Sequence, residues 1–313
     1  MTQAAISSAE HVRLTSRTAA LSVAVAGLLI ALKIWAWFLS DSVAMLASLA
    51  DSTLDLVASL FTFFAVRYAA APPDREHRFG HGKAEAFAGL VQAGLVAMSA
   101  LLIAIEAASR LLSPRPIGNG AIGIAVIAFS ILITAGLVYV QTRAVQKTGS
   151  VATRADRLHY VGDIASNVVV LIGLAAGAYL NMPWADAVAG AIVAAGLAWG
   201  AVKVSREAAD CLLDRELPDA DRARIRALAE SDSRLGRVHD LRTRTSGPYV
   251  HIQFHVDLEP MLTLEDAHKI LVAAEERIRA AYPAADIIIH PDPRGRAEPH
   301  GHEDFERASS GAQ

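Results

Sequence analysis

Two pairs of residues with metal-binding chemistry stand one helical turn apart inside apolar runs. Asp51 and Asp55 lie within the stretch from Val43 to Val66, and His159 and Asp163 within Leu158 to Leu180. Side chains four apart on a helix share a face, so each pair can aim its donors at one point. Two carboxylates that close repel unless they share a proton or bind a cation, and an ionised carboxylate at membrane depth is costly unless compensated. The spacing therefore points to a cation site within the membrane. The alternative is a pair of neutral or helix-paired carboxylates facing a bundle core. Together the three carboxylates and one imidazole complete the tetrahedral shell that suits Zn2+. Counting ~1.5 Å per residue from the outer ends puts Asp55 roughly 18 Å deep and Asp163 roughly 25 Å, so the pairs meet only if the helices tilt. A third group, Asp74, His77 and His81, falls in the short Gly-containing stretch Pro72 to Glu85. Those three can hold a metal with one water position left, although solvated loop residues would look similar.

The elements that must position these residues are membrane spans. Of the 313 residues 53% are hydrophobic and only 19% charged, which is too apolar for an ordinary soluble protein and places the chain in a lipid bilayer. Six windows approach the ~20 residues needed to cross the hydrocarbon: Thr18 to Leu39, Val43 to Val66, Ala84 to Leu112, Ala121 to Val140, Leu158 to Leu180 and Ala185 to Val202. Basic residues gather before the first window and after the second and fourth, so the positive-inside rule places both termini in the cytoplasm. Trp35, Trp37, Tyr179 and Trp184 then fall at the outer interface. Lys33 is expected to snorkel toward headgroups, and Glu106 to face the bundle or the outer surface. Arg154, Asp156 and Arg157 are expected to line a wet cytoplasmic vestibule. No cleavable signal peptide is evident. No basic stripe suggests nucleic acid, and the lone Cys211 cannot form an internal disulfide.

After Val202 the composition turns charged. The expected domains are a transmembrane unit over 1–209, a cytoplasmic unit over 210–293, and a disordered tail over 294–313, whose His300 and His302 are read as solvated. Within the cytoplasmic unit a helix over Asp221 to Ser231, capped by Asp219, precedes strands over Arg237 to Thr245 and Tyr249 to Leu258. A second helix over Leu264 to Tyr282 and a strand over Asp286 to His290 follow. The fold class is thus an α-helical membrane protein: a six-helix transmembrane bundle followed by a small α+β domain of order αββαβ, its sheet covered by helices on one face.

Four motifs now stand in order along the chain: Ala50-Asp51-Ser52 with Asp55, the loop from Asp74 through His77-Arg78-Phe79-Gly80-His81-Gly82-Lys83 to Glu85, His159 with Asp163, and Val238-His239-Asp240-Leu241-Arg242. This pattern resembles the cation diffusion facilitator family and looks closest to its bacterial zinc and ferrous-iron efflux members. The resemblance implies a homodimeric metal/proton antiporter, multi-pass in a bacterial inner membrane, that exports Zn2+, with Cd2+ and Fe2+ as alternative substrates. It implies that Asp51, Asp55, His159 and Asp163 form the transport site and that Asp74, His77 and His81 form a loop site. It further implies that His239, His255, His268, His290 and Asp292 hold structural Zn2+ in a binuclear site supporting dimer contact, and that Lys83 and Asp214 interlock near the membrane surface. Pro291 departs from the family pattern, which often has glutamine there. His251 is an extra imidazole on the strand face of His255, able to replace a ligand or to stand exposed. A membrane metalloprotease is the rival reading. It lacks a His-Glu-x-x-His motif, and a complete tetrahedral set leaves no position for catalytic water. A metal sensor would need no ligands at membrane depth.

Overall fold

The structure is a computed structural model that describes residues 7–40, 43–112, 121–179 and 185–296. It divides into two compact units, the first helical and extending to Arg215, the second beginning at Glu216. In the first, six long helices follow one another: α1 (Ser8–Ser40), α2 (Val43–Ala69), α3 (Lys83–Leu112), α4 (Ala121–Thr148), α5 (Val151–Tyr179) and α6 (Ala185–Leu212). Several outrun the apolar windows, because hydropathy marks the hydrocarbon stretch whereas backbone hydrogen bonding runs on to the nearest cap. For α1 that cap is Ser7, whose hydroxyl accepts from the Glu10 N–H at 3.2 Å. Between α4 and α5 only two residues intervene. Gly149 takes the left-handed conformation that ends α4 (φ 68°), and the Ser150 hydroxyl accepts from the Thr153 N–H at 3.1 Å to start α5.

The burial of this unit is inverted relative to a soluble protein. Its interior is built from alanines such as Ala26, Ala36, Ala88, Ala93 and Ala155, with Ser22, Thr62, Gln92 and Gln141, while Phe38, Phe64, Leu112, Leu132 and Ile192 point outward. Small residues let helices approach closely where lipid rather than water surrounds them. Among the described residues, four helices are long and apolar enough to cross a membrane: α1, α3, α4 and α6. The other two, α2 and α5, carry the aspartates.

The second unit contains α7 (Asp219–Glu230), β1 (Val238–Ser246), β2 (Tyr249–Leu258), α8 (Leu264–Ala281) and β3 (Ala285–Pro293). The sheet order is β1-β2-β3, with β3 parallel to β2 and reached through α8. Ile225 and Ala229 of α7 and Ile270, Ala274 and Ile278 of α8 close over Leu241, Ile252, Phe254, Val256 and Ile287 of the sheet. Both helices therefore cover one sheet face, and the other is left to polar side chains. Asp219 does not cap α7: Pro218 holds the cap position without a side-chain bond, and Asp219 instead pairs with Arg222 at 3.3 Å. The threonine at 263 does cap α8, accepting from the Asp266 N–H at 3.2 Å. The tail beyond 296, with His300 and His302, lies outside the described residues.

Candidate metal centres

In the membrane unit, α5 is set by close contact with α6. A Cβ on Gly162 would meet the end of the Leu197 side chain at 2.9 Å, so glycine gives the two helices a close fit there. His159 and Asp163 then turn toward α2. His159 Nε2 lies 3.0 Å from Asp55 Oδ1 and 4.0 Å from Asp163 Oδ2. All three donors lie within 4.8 Å of one another, so a small inward movement brings them onto one cation. Asp55 and the α5 pair thus converge despite their expected difference in depth. Asp51 belongs to α2, one turn before Asp55, and its side chain lies outside the described residues.

The surroundings of this group differ from expectation in two ways. Lys33 does not reach outward; its ammonium donates to the Ser52 hydroxyl at 2.6 Å, beside Asp51 in the chain. Asp156 does not line a wet vestibule either. It is 1% exposed and accepts from Ser22 Oγ at 2.7 Å and Gln141 Nε2 at 2.8 Å. Arg154 pairs with Glu207 and Arg157 donates to the Thr142 hydroxyl, so both neighbouring side chains turn to other helices. Glu106 is exposed and pairs along α3 with Arg110 at 2.8 Å.

The loop between α2 and α3 folds around Asp74. Its Oδ1 accepts from the backbone N–H groups of His77 and Glu76 at 2.6 and 2.9 Å, which closes a tight turn. Gly80, at φ 77°, reverses the chain and stacks the His77 and His81 rings with centroids 4.6 Å apart. His81 Nε2 then lies 3.3 Å from Asp74 Oδ2, and His77 Nδ1 3.4 Å from Oδ1. The bond from the His77 N–H holds the Asp74 carboxyl below its usual range. That carboxyl therefore stays an anion, available to a cation, further into the acid range than an ordinary aspartate.

In the cytoplasmic unit the polar sheet face gathers a larger group. Strand alternation puts Ile252, Phe254 and Val256 in the core and His251, His255 and Asp257 on the opposite face. The parallel register sets His255 beside His290 and Asp257 beside Asp292. On β1, alternation from Leu241 and Thr243 would send His239 into the core. Asp240 adopts φ 48°, a kink that puts Val238 inside and turns His239 to the polar face. Three imidazoles then approach one carboxylate. Asp292, 3% exposed, lies 3.0 Å from His255 Nδ1, 3.3 Å from His239 Nε2 and 3.5 Å from His290 Nε2. His239 Nε2 makes no hydrogen bond, although Asp257 also lies 3.5 Å away. Two overlapping triads result, His239 with Asp240 and His255, and His255 with His290 and Asp292. A donor set of imidazoles and carboxylates around a buried unbonded nitrogen fits Zn2+. His268 is not among them; it is exposed on α8. His251 shares the polar face, but three strand residues separate it from His255, and it pairs with Asp286 at 3.1 Å.

Asp240 and Asp257 were not expected at this site. The period of two from His255 marks Asp257, whereas nothing in the spacing marks the kink at Asp240. The structure also pairs His11 with Glu85 at 3.4 Å across 74 residues, a contact without local signal.

Lys83 and Asp214 approach to 3.0 Å, and the Lys83 ammonium also donates to the Leu212 carbonyl at the end of α6 at 3.1 Å. With side-chain exposures of 36% and 42%, the pair belongs to the surface class worth about 0–1 kcal/mol. Lys83→Ala should therefore lower the melting temperature only slightly. Combining Lys83→Asp with Asp214→Lys should restore it, and a double variant no better than either single one would deny the pair an energetic role.

Comparison with known proteins adds to this geometry. Residues 19–213 match the cation efflux transmembrane domain, and residues 217–294 match the cytoplasmic domain of cation efflux proteins. The chain is 42% identical over 282 residues to the cation-efflux pump FieF of Shewanella oneidensis, covering 90% of this chain and 94% of that protein. It is 40% identical over 281 residues to FieF of Salmonella typhimurium, covering 90% and 93%. Among solved structures, the metal-bound C-terminal domain of the CzcD transporter from Thermotoga maritima is 22% identical, over 25% of this chain and 93% of that one, with a TM-score of 0.25.

Proposed function

The chain belongs to the cation efflux family, the cation diffusion facilitators, and from that premise we propose that it exports Zn2+ from the cytoplasm in exchange for protons, as a homodimer. It is a transporter and not an enzyme. The observation that carries the finer reading is His159 Nε2 standing between Asp55 and Asp163 in the membrane unit. Those atoms can hold a divalent cation or protons but not both, because the metal needs a neutral imidazole and ionised carboxylates. Exchange at shared ligands follows from that competition. Zn2+ is favoured over Mn2+, Mg2+ and Ca2+ because the shell contains nitrogen, with Cd2+ and Fe2+ as competing substrates.

In this reading all six long helices span the inner membrane of a bacterial cell, both termini and the second unit lie in the cytoplasm, and Asp51 completes the quartet. Asp74, His77 and His81 form a separate loop site. In the cytoplasmic unit His239, His255, His290 and Asp292 hold structural Zn2+. His268, exposed and apart from them, is the ligand that a second copy of the chain would share at the dimer contact.

Reconstitution into proteoliposomes with an imposed pH gradient tests the proposal. Zn2+ movement should follow the gradient and reverse with it. Movement indifferent to the gradient would remove antiport, and preference for Mn2+ would remove the assignment of Zn2+.

A further inference from the structure

Asp156 is a buried acid that the metal reading does not use. Ser22 Oγ and Gln141 Nε2 both donate to its Oδ2, at 2.7 and 2.8 Å, and Gln141 Nε2 also reaches Ser22 Oγ at 3.1 Å. None of the three residues is more than 1% exposed. Among the described residues, Asp156 Oδ1 and Gln141 Oε1 are buried without a hydrogen-bond partner. From this geometry we propose that Asp156 is a proton-binding site of the membrane unit, distinct from the metal ligands, which takes up and releases one proton in each transport cycle.

The bare atoms decide the ligand. Two buried acceptors without a donor are satisfied by adding hydrogen, and a proton on Oδ1 turns one of them into a donor. A metal ion is disfavoured because Ser22 and Gln141 present N–H and O–H groups to the carboxylate, and those donors repel a cation. The ionised form is supported as well, since both donors already point at Oδ2. A carboxyl whose one oxygen is held as an anion and whose other is open to a proton can cycle between the two states. Release breaks the O–H bond at Oδ1, leaves the electron pair on the carboxylate, and passes the proton to water.

Hydrogen bonds extend from Ser22 toward the candidate transport site without reaching it. Tyr160 OH donates to the Ser22 carbonyl at 3.3 Å and accepts from Ser59 Oγ at 2.8 Å, and Ser59 lies one turn from Asp55 on α2. The charges that act on Asp156 are His159 of its own helix and Asp55 of α2. Around it α1 contributes Ser22 and α4 contributes Gln141, both neutral. Glu207 of α6 is taken up by Arg154, Thr142 of α4 receives Arg157, and Glu85 of α3 pairs with His11. Metal arriving between Asp55 and His159 changes the nearest charges, and that change favours loss of the Asp156 proton.

The inference rests on the antiport reading, and one experiment separates the two. Zn2+ binding to the full-length protein, measured by calorimetry in buffers of different ionisation enthalpy, counts the protons released per metal. Asp156→Asn should keep Zn2+ affinity within about tenfold of the unaltered protein while releasing about one proton fewer. An unchanged proton count would overturn the proposal. Should Asp156→Asn fail to fold, Ser22→Ala replaces it: losing a donor to the anion should move the midpoint of proton release to higher pH, and an unmoved midpoint would likewise overturn it. If the unaltered protein releases no protons, antiport itself falls. If it does and the variants match it, only the role of Asp156 falls.

Discussion

Asp55→Ala and Asp163→Ala are each expected to reduce Zn2+ transport by at least about 100-fold while the protein still folds. Losing a residue that merely orients a metal ligand costs 10–100-fold, so removing a ligand itself should cost no less. The fold should survive because neither carboxylate is held by a network of structural bonds. Asp55 contacts His159 alone among the described interactions, and Asp163 lies 4.0 Å from the same ring. His159→Asp tests the chemistry instead of the charge. It makes the shell all oxygen, so transport should shift from Zn2+ toward Mn2+. An unchanged order of metals in that variant would show that His159 does not touch the ion. Counterflow assays with each metal, alongside melting curves of the purified variants, separate lost binding from lost folding.

How much of this was legible in the sequence depended on whether local periodicity carried the information. The one-turn spacing of His159 and Asp163 places both on one helical face, but that this face meets Asp55 of α2 is a tertiary contact across 104 residues. Alternation in β2 correctly faces His251 and His255 alike. Only the register with β3 reveals that His251 meets Asp286 while His255 meets His290. On β1 simple alternation misleads, because the positive φ of Asp240 reverses the side on which His239 emerges. Lys33 was misjudged for a related reason. A long cation near a helix end snorkels when nothing polar is within reach, and here Ser52 is within reach. Asp156 was assigned to water by its neighbours Arg154 and Arg157, both of which turn to other helices. Its partners come from residues 134 and 15 positions away, which no local pattern encodes.

The second large effect concerns Asp292. Zn2+ at about 100 times its dissociation constant stabilises a folded unit by ~2.7 kcal/mol per site, provided the unfolded chain does not bind it. For a domain of under 100 residues each kcal/mol moves the melting temperature by about 4–8 °C, so Zn2+ should raise melting of the cytoplasmic unit by roughly 10–20 °C. Asp292→Ala should abolish most of that rise, because three imidazoles converge on this carboxylate and all lose their common partner. Without metal the same change has opposing parts. It removes a buried anion, which is costly to keep, but leaves three histidines facing one another that repel once protonated. Asp292→Asn keeps the volume and removes the charge, so it should melt like the unaltered metal-free protein near neutral pH and still fail to respond to Zn2+. His268→Ala divides the site from the dimer. If His268 is contributed by a second copy, its loss should weaken Zn2+-dependent dimerisation while leaving most of the thermal response of each unit intact. A melting temperature of the Asp292→Ala protein that rises with Zn2+ as far as that of the unaltered chain would reduce the cluster to surface histidines.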